Sequence, residues 1–168
     1  PNQPMQQGSG SINIIEQGGR ILALPEVGLP WELDSQLNTI GQYDFNSKLR
    51  SNMTGHPKID PQNGDLVFFG YDFGPINLRY HVADKAGKLI RNINIKKPIP
   101  TMMHDFGVTA SRVIFLDLPV AFDLAMAIKG KGIPFCWRDD MPARLGILAR
   151  DATSDEVLKD ACSRIKRA

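Results

Sequence analysis

Cysteine is nearly missing from this chain: Cys136 and Cys162 are the only two in 168 residues. Two cysteines cannot build a disulfide framework, and these do not have the CxxC spacing of a metal knuckle. They read as reduced thiols in a cytoplasmic protein. Excess charge is equally scarce. With 20 basic and 18 acidic residues the net charge is only +2, too little for the electrostatic footprint of nucleic-acid binding. No window holds the roughly 18 apolar residues of a membrane helix, and no signal peptide opens the chain. The weakly basic tail is the one feature that argues for peripheral membrane contact. HExxH is absent as well, which leaves zinc hydrolysis without a motif.

What is present is the composition of an ordinary globular domain, 42% hydrophobic and 23% charged. Residues 1–10, "PNQPMQQGSG", are polar and without period. The chain begins with proline, which reads as a segment of something longer. Beyond that, short strands alternate with turns. "INII" (Ile12 to Ile15) and "RILAL" (Arg20 to Leu24) flank Gly18-Gly19, a hairpin signal. "DPQNGD" is a turn that feeds "LVFFGY" (Leu66 to Tyr71). "NLRYHVAD" sets Leu78, Tyr80 and Val82 against Arg79, His81 and Ala83, as a strand with one wet face does. "DKAGK" is the next turn, followed by "LIRNINI" (Leu89 to Ile95), and "RVIFLDL" and "RLGILAR" are later strands. Strands this closely spaced indicate an all-β sandwich, barrel or propeller. Residues 151–168 depart from the pattern. "TSDE" has capping-box spacing, and Val157, Leu158, Ala161, Cys162 and Ile165 share one helical face. The spacing predicts a helix over Asp155 to Lys166.

The chain has three histidines. By strand alternation His81 faces away from Tyr80 and Val82, and is expected at the surface. His56, in "MTGHPKIDP", and His104, in "TMMHDFGVT", each stand where a Gly- or Pro-containing loop meets a strand, 48 residues apart. That separation is close to one four-stranded propeller blade. Equivalent positions on successive inner strands converge on the propeller axis, where two imidazoles could share a metal.

The segments "INIIEQGGRILALPEVGLPWELD", "LNTIGQYDF", "MTGHPKIDPQNGDLVFFGY", "MMHDFGVT", "VIFLDLPVAFD" and "PARLGILAR", in this order, resemble the carotenoid cleavage oxygenases, the retinal pigment epithelial membrane protein family. The likeness is nearest to its microbial lignostilbene-dioxygenase-like branch and covers residues 11–150. It implies a seven-bladed β-propeller, of which this chain would hold two to three blades. It also implies one Fe(II) on the axis, held by four histidines and oriented by glutamates behind them. By motif His56 matches the first ligand, His104 the second, and Glu26, in "LALPEVGLP", the first of those glutamates. Neutral imidazoles suit Fe(II), and a carboxylate behind one of them fixes its tautomer and supplies counter-charge. Asp105, adjacent to His104 on a strand, points the other way and is expected to secure the neighbouring loop. Met102, Met103 and Phe106 read as core packing, with the lining of an apolar tunnel as the alternative.

The activity implied is oxidative cleavage of a conjugated C=C bond by O₂ into two carbonyl products. The substrate implied is an apolar carotenoid, apocarotenoid or stilbene. The third and fourth histidines have no counterpart here, so the 168-residue chain alone is expected to be inactive. The competing reading is a truncated, non-catalytic relative that keeps half a metal site and serves as a binding module.

Overall fold

The computed structural model describes residues 9–73, 76–130 and 133–153. Four strands open it: β1 (Asn13–Gln17), β2 (Arg20–Leu24), β3 (Trp31–Leu33) and β4 (Thr39–Gln42), joined in that order as an antiparallel meander. Four more repeat the arrangement: β5 (Lys58–Ile59), β6 (Leu66–Tyr71), β7 (Leu78–Ala83) and β8 (Leu89–Ile95). Next come β9 (Phe106–Val108) and β10 (Arg112–Asp117), then β11 (Val120–Phe122), a short helix α1 (Leu124–Lys129), β12 (Phe135–Trp137) and β13 (Arg144–Ala149). A third sheet has the order β13-β10-β9, and β11 pairs with β12.

Local chemistry explains the turns. Gln17 pairs with Arg20 across Gly18 and Gly19, whose φ values are 59° and 74°. A two-residue loop with both φ positive matches the right-handed strand twist, and glycine takes it without a Cβ clash. The β7–β8 turn uses Asp84, whose Oδ1 accepts from the Ala86 and Lys88 amides. Helix α1 is capped by Asp123, whose Oδ1 accepts from the Met126 amide, and it ends at Gly130 in the left-handed region. At six residues it is too short to show a helical period in sequence. The helix expected over Asp155 to Lys166 lies outside the described residues. No described helix is long and apolar enough to cross a membrane.

The middle sheet is covered on both faces. Val67, Phe69, Tyr71, Leu78, Tyr80 and Val82 pack with Met103, Phe106, Val113, Phe115 and Leu148 from the third sheet and the loop before it. From the other face Leu66, Phe68 and Ala83 meet Leu22, Leu24, Phe45, Leu49 and Met53 from the first sheet and its loops. Each fully buried Phe on this sheet contributes about 2–3 kcal/mol through removal from water. Three sheets stacked face to face, the first two four-stranded meanders and each beginning at an edge strand, are the packing of propeller blades.

This sandwiching overturns one expectation. All six residues of β7 are buried, and His81 is fully inaccessible rather than at the surface. Alternation does separate the two faces of β7. Both faces are dry, because a neighbouring sheet covers each. The His81 ring stacks on Phe68 with centroids 4.9 Å apart, and its Nε2 lies 2.8 Å from Ser51 Oγ.

Candidate metal centre

Three loops at one end of these sheets carry the candidate residues. Glu26 lies in the β2–β3 connection, His56 two residues before β5, and His104 two residues before β9. Both histidines therefore hold the same place relative to the first strand of their own sheet, which brings positions 48 apart in sequence together in space. The Nε2 atoms face each other at 3.0 Å, with ring centroids 4.5 Å apart and ring planes at 67°. On the far side of the His104 ring, Nδ1 is 3.0 Å from each Glu26 oxygen and hydrogen-bonds Oε1. Glu26 Oε2 is buried and makes no hydrogen bond. Among the described residues Glu26, His56 and His104 form the cluster that could hold a metal ion, their donor atoms lying within 4.8 Å of one another.

The loops are fixed from several sides. The Met53 amide donates to Gly28 O, tying the His56 segment to the loop of Glu26, and the Thr54 amide donates to Phe69 O on β6. Gly55 is required by crowding, since a Cβ there would stand 2.5 Å from Ile12 Cγ2. Asp105 hydrogen-bonds away from the imidazoles. Its Oδ1 accepts from Lys58 Nζ and from the Phe106 amide, both at 2.8 Å. Partial burial pushes the Asp105 carboxyl up, but those hydrogen bonds outweigh it and hold the group below the usual carboxylate range. Tyr71 lies within electrostatic reach of Glu26. Burial, with the Glu26 carboxylate adding to it, pushes the Tyr71 hydroxyl above its ordinary range. Met103 and Phe106 are core residues, and Met102 packs half-buried against them.

The donor set fits a metal. Two ligand nitrogens in adjacent positions, each about 2.1 Å from one ion, are about 3.0 Å apart when the angle at the ion is near 90°, and about 3.4 Å apart in a tetrahedron. The Nε2 separation of 3.0 Å lies within the reach of one ion, and without a metal it is also the length of a hydrogen bond from one ring to the other. With Nδ1–H given to Glu26, His104 presents the Nε2 lone pair to the same point as His56. Sequence reasoning missed Thr54 and the Lys58 partner of Asp105. Neither carries a signal without knowledge of what lies across the loop.

Comparison with known proteins agrees with this architecture. Residues 2–166 match the model of the retinal pigment epithelial membrane protein family. The carotenoid 9,10(9',10')-cleavage dioxygenase of Crocus sativus is 34% identical over 156 residues, covering 90% of this chain and 29% of that protein. The isoeugenol monooxygenase of Pseudomonas nitroreducens is 34% identical over 153 residues, covering 88% of this chain and 32% of that protein. The crystal structure of lignostilbene dioxygenase from Pseudomonas brassicacearum superposes with a TM-score of 0.82 at 33% identity, over 88% of this chain and 32% of that one. The chain thus spans about a third of the length of the relatives it matches. Stacked four-stranded blades, a histidine pair one blade apart and a family match across nearly the whole sequence agree: this chain belongs to the retinal pigment epithelial membrane protein family, the carotenoid cleavage oxygenases.

Proposed function

We propose that this chain is the part of a non-haem Fe(II) dioxygenase that supplies two of its iron-binding histidines, His56 and His104, with Glu26 orienting the second. The observation that carries this reading is the pair of Nε2 atoms 3.0 Å apart with a carboxylate behind one ring. The chemistry follows from what these side chains can do. Glu26 accepts the Nδ1–H of His104 and so keeps its Nε2 lone pair free. Its negative charge, one residue removed from the ion, offsets part of the double positive charge that neutral imidazoles leave in place. The Asp105 carboxylate faces Lys58 instead, so it stays out of the coordination sphere. Fe(II), when bound, supplies the binding and activation of O₂.

The reaction is the addition of O₂ across a conjugated C=C bond, which breaks to give two carbonyl products. Relatives named for cleaving carotenoids, oxidising isoeugenol and acting on lignostilbene point to an apolar substrate, either an apocarotenoid or carotenoid or a stilbene-like phenylpropanoid. The test uses the protein at its native length, loaded with Fe(II) and given ¹⁸O₂ with isoeugenol, a hydroxystilbene and an apocarotenal in turn. One of these should yield labelled aldehydes, and His104→Ala should abolish the yield. Undiminished turnover in His104→Ala would defeat the assignment.

A further inference from the structure

We propose that Thr54 is a positioning residue for this centre, its buried hydroxyl joining the main chains of the two histidine segments and setting the gap between the imidazoles. The proposal rests on the metal-centre reading above. Thr54 stands two residues before His56 and is 3% exposed. Its own amide is fixed to β6 through Phe69 O at 2.8 Å, so the side chain projects from an anchored point. Oγ1 accepts the His56 amide proton at 3.1 Å and donates its own proton to His104 O at 3.4 Å. A hydroxyl has one proton and two lone pairs, so both roles are filled at once. One oxygen therefore touches the backbone of both histidines.

The second of these bonds is long and weak by itself. Its leverage comes from the surroundings. Gly55, between Thr54 and His56, is packed so closely on Ile12 that a Cβ there would stand 2.5 Å from Ile12 Cγ2, which leaves the turn little room on that side. A second tie between the segments, Lys58 to Asp105, is well formed at 2.8 Å, but its side chains are 37% and 45% exposed. Ion pairs that wet hold little on their own, whereas a buried amide or carbonyl left without its partner is costly. The hydroxyl is thus the tie whose loss the site should register.

Thr54→Val keeps the shape and the β-branch and removes only the hydrogen bonds, whereas Thr54→Ser keeps the hydroxyl and removes the methyl. The experiment takes the protein at its native length, stripped of metal, and records nuclear Overhauser contacts between the two imidazoles, with histidine rings selectively labelled. It then titrates Co(II), followed by its visible absorption. The wild type and Thr54→Ser should show the ring-to-ring contact. In Thr54→Val the contact should vanish while the amide spectrum away from the loops is unchanged, and Co(II) affinity should fall about tenfold, at the low end for groups that orient a ligand. Two results overturn the proposal: Thr54→Val keeping the contact with Co(II) affinity within twofold of wild type, or a folded Thr54→Ser losing the contact. If Thr54→Val does not fold, the serine variant decides alone. A wild type that shows the ring contact yet takes up no Co(II) would count against the metal reading, and the dependence of that contact on Thr54 would still decide this one.

Discussion

Acid should destabilise this chain through His81, and the effect can be worked out from its surroundings. The ring is fully buried on β7, stacked on Phe68. Its Nε2 lies 2.8 Å from Ser51 Oγ, and the Ser51 hydroxyl gives its own proton to Asn52 O at 2.9 Å. The Ser51 oxygen must then accept, so His81 carries its proton on Nε2, and the buried Nδ1 has no partner. Protonating Nδ1 would put a charge in the core, within reach of Arg79. Burial above all, and Arg79 after it, push the imidazole down to about 3 from its ordinary 6.5. The unfolded chain therefore binds a proton near pH 6.5 that the folded chain refuses, so stability is intact above that pH and falls as the pH drops toward 3. From pH 7 to pH 5 the loss is about 2 kcal/mol, and by pH 4 it exceeds about 3 kcal/mol. For a chain of this size about 2 kcal/mol lowers Tm by roughly 4–8 °C. Thermal melts at pH 7 and pH 5 would compare the wild type with His81→Gln, whose amide can still donate to Ser51. Both proteins share every other titrating group, so those contributions cancel in the difference. The variant should be less stable at pH 7 and markedly less sensitive to acid. Equal pH sensitivity in the two would refute the reasoning.

The remaining predictions concern single contacts. Glu26→Gln should lower Co(II) or Fe(II) affinity about 10- to 100-fold by weakening the acceptor behind His104; an unchanged titration rejects that role. Gly70→Ala should cost at least about 2 kcal/mol in urea unfolding, because its Cβ would stand 1.9 Å from the Asn52 carbonyl oxygen, which cannot swing away; a variant as stable as wild type would show that the 51–54 segment is not held against β6. Lys97, buried with its ammonium 2.7 Å from Asp117, has burial lowering its pKa against the pull of that carboxylate. Lys97→Met alone should cost about 3 kcal/mol, because the carboxylate keeps the Thr101 hydroxyl but loses its counter-charge, while adding Asp117→Leu should recover much of it; a double variant no better than the single one would contradict this.

Much of the fold was legible because the relevant signals are local. "LVFFGY" and "LIRNINI" coincide with β6 and β8, and Gly18-Gly19 takes both positive φ values that its turn demands. What escaped were strands of two to four residues, β3, β4, β11 and β12, and the extents of β5 and β9, of which the sequence showed only the mouths; no alternation can accumulate in so few residues. β7 shows the other limit. Its two faces were separated correctly by period, but period cannot say whether a face meets water or another sheet. For "LRYHVA" the answer depends on Phe45, Leu49 and Met53 on one side and Phe106 and Phe115 on the other, all distant in sequence.

The candidate site was legible for a reason that the fold makes physical. A blade is a repeat, and a residue placed two positions ahead of each first strand recurs at the blade's own period and at one end of the stack. His56 and His104 obey this rule, and 48 residues of sequence become 3.0 Å between nitrogens. The repeat fixes where the loops emerge. It does not fix their conformation, and a metal centre tolerates errors of only a few tenths of an ångström in ligand position. That precision comes from contacts with no period: Thr54 reaching His104 O, Met53 reaching Gly28 O, Lys58 reaching Asp105, and Ile12 wedged against Gly55. Each joins residues from segments far apart in the chain, so none has a signature in a single stretch of sequence. Substitutions in the blades should therefore act on stability first, and substitutions among these cross-loop partners should act on metal affinity first.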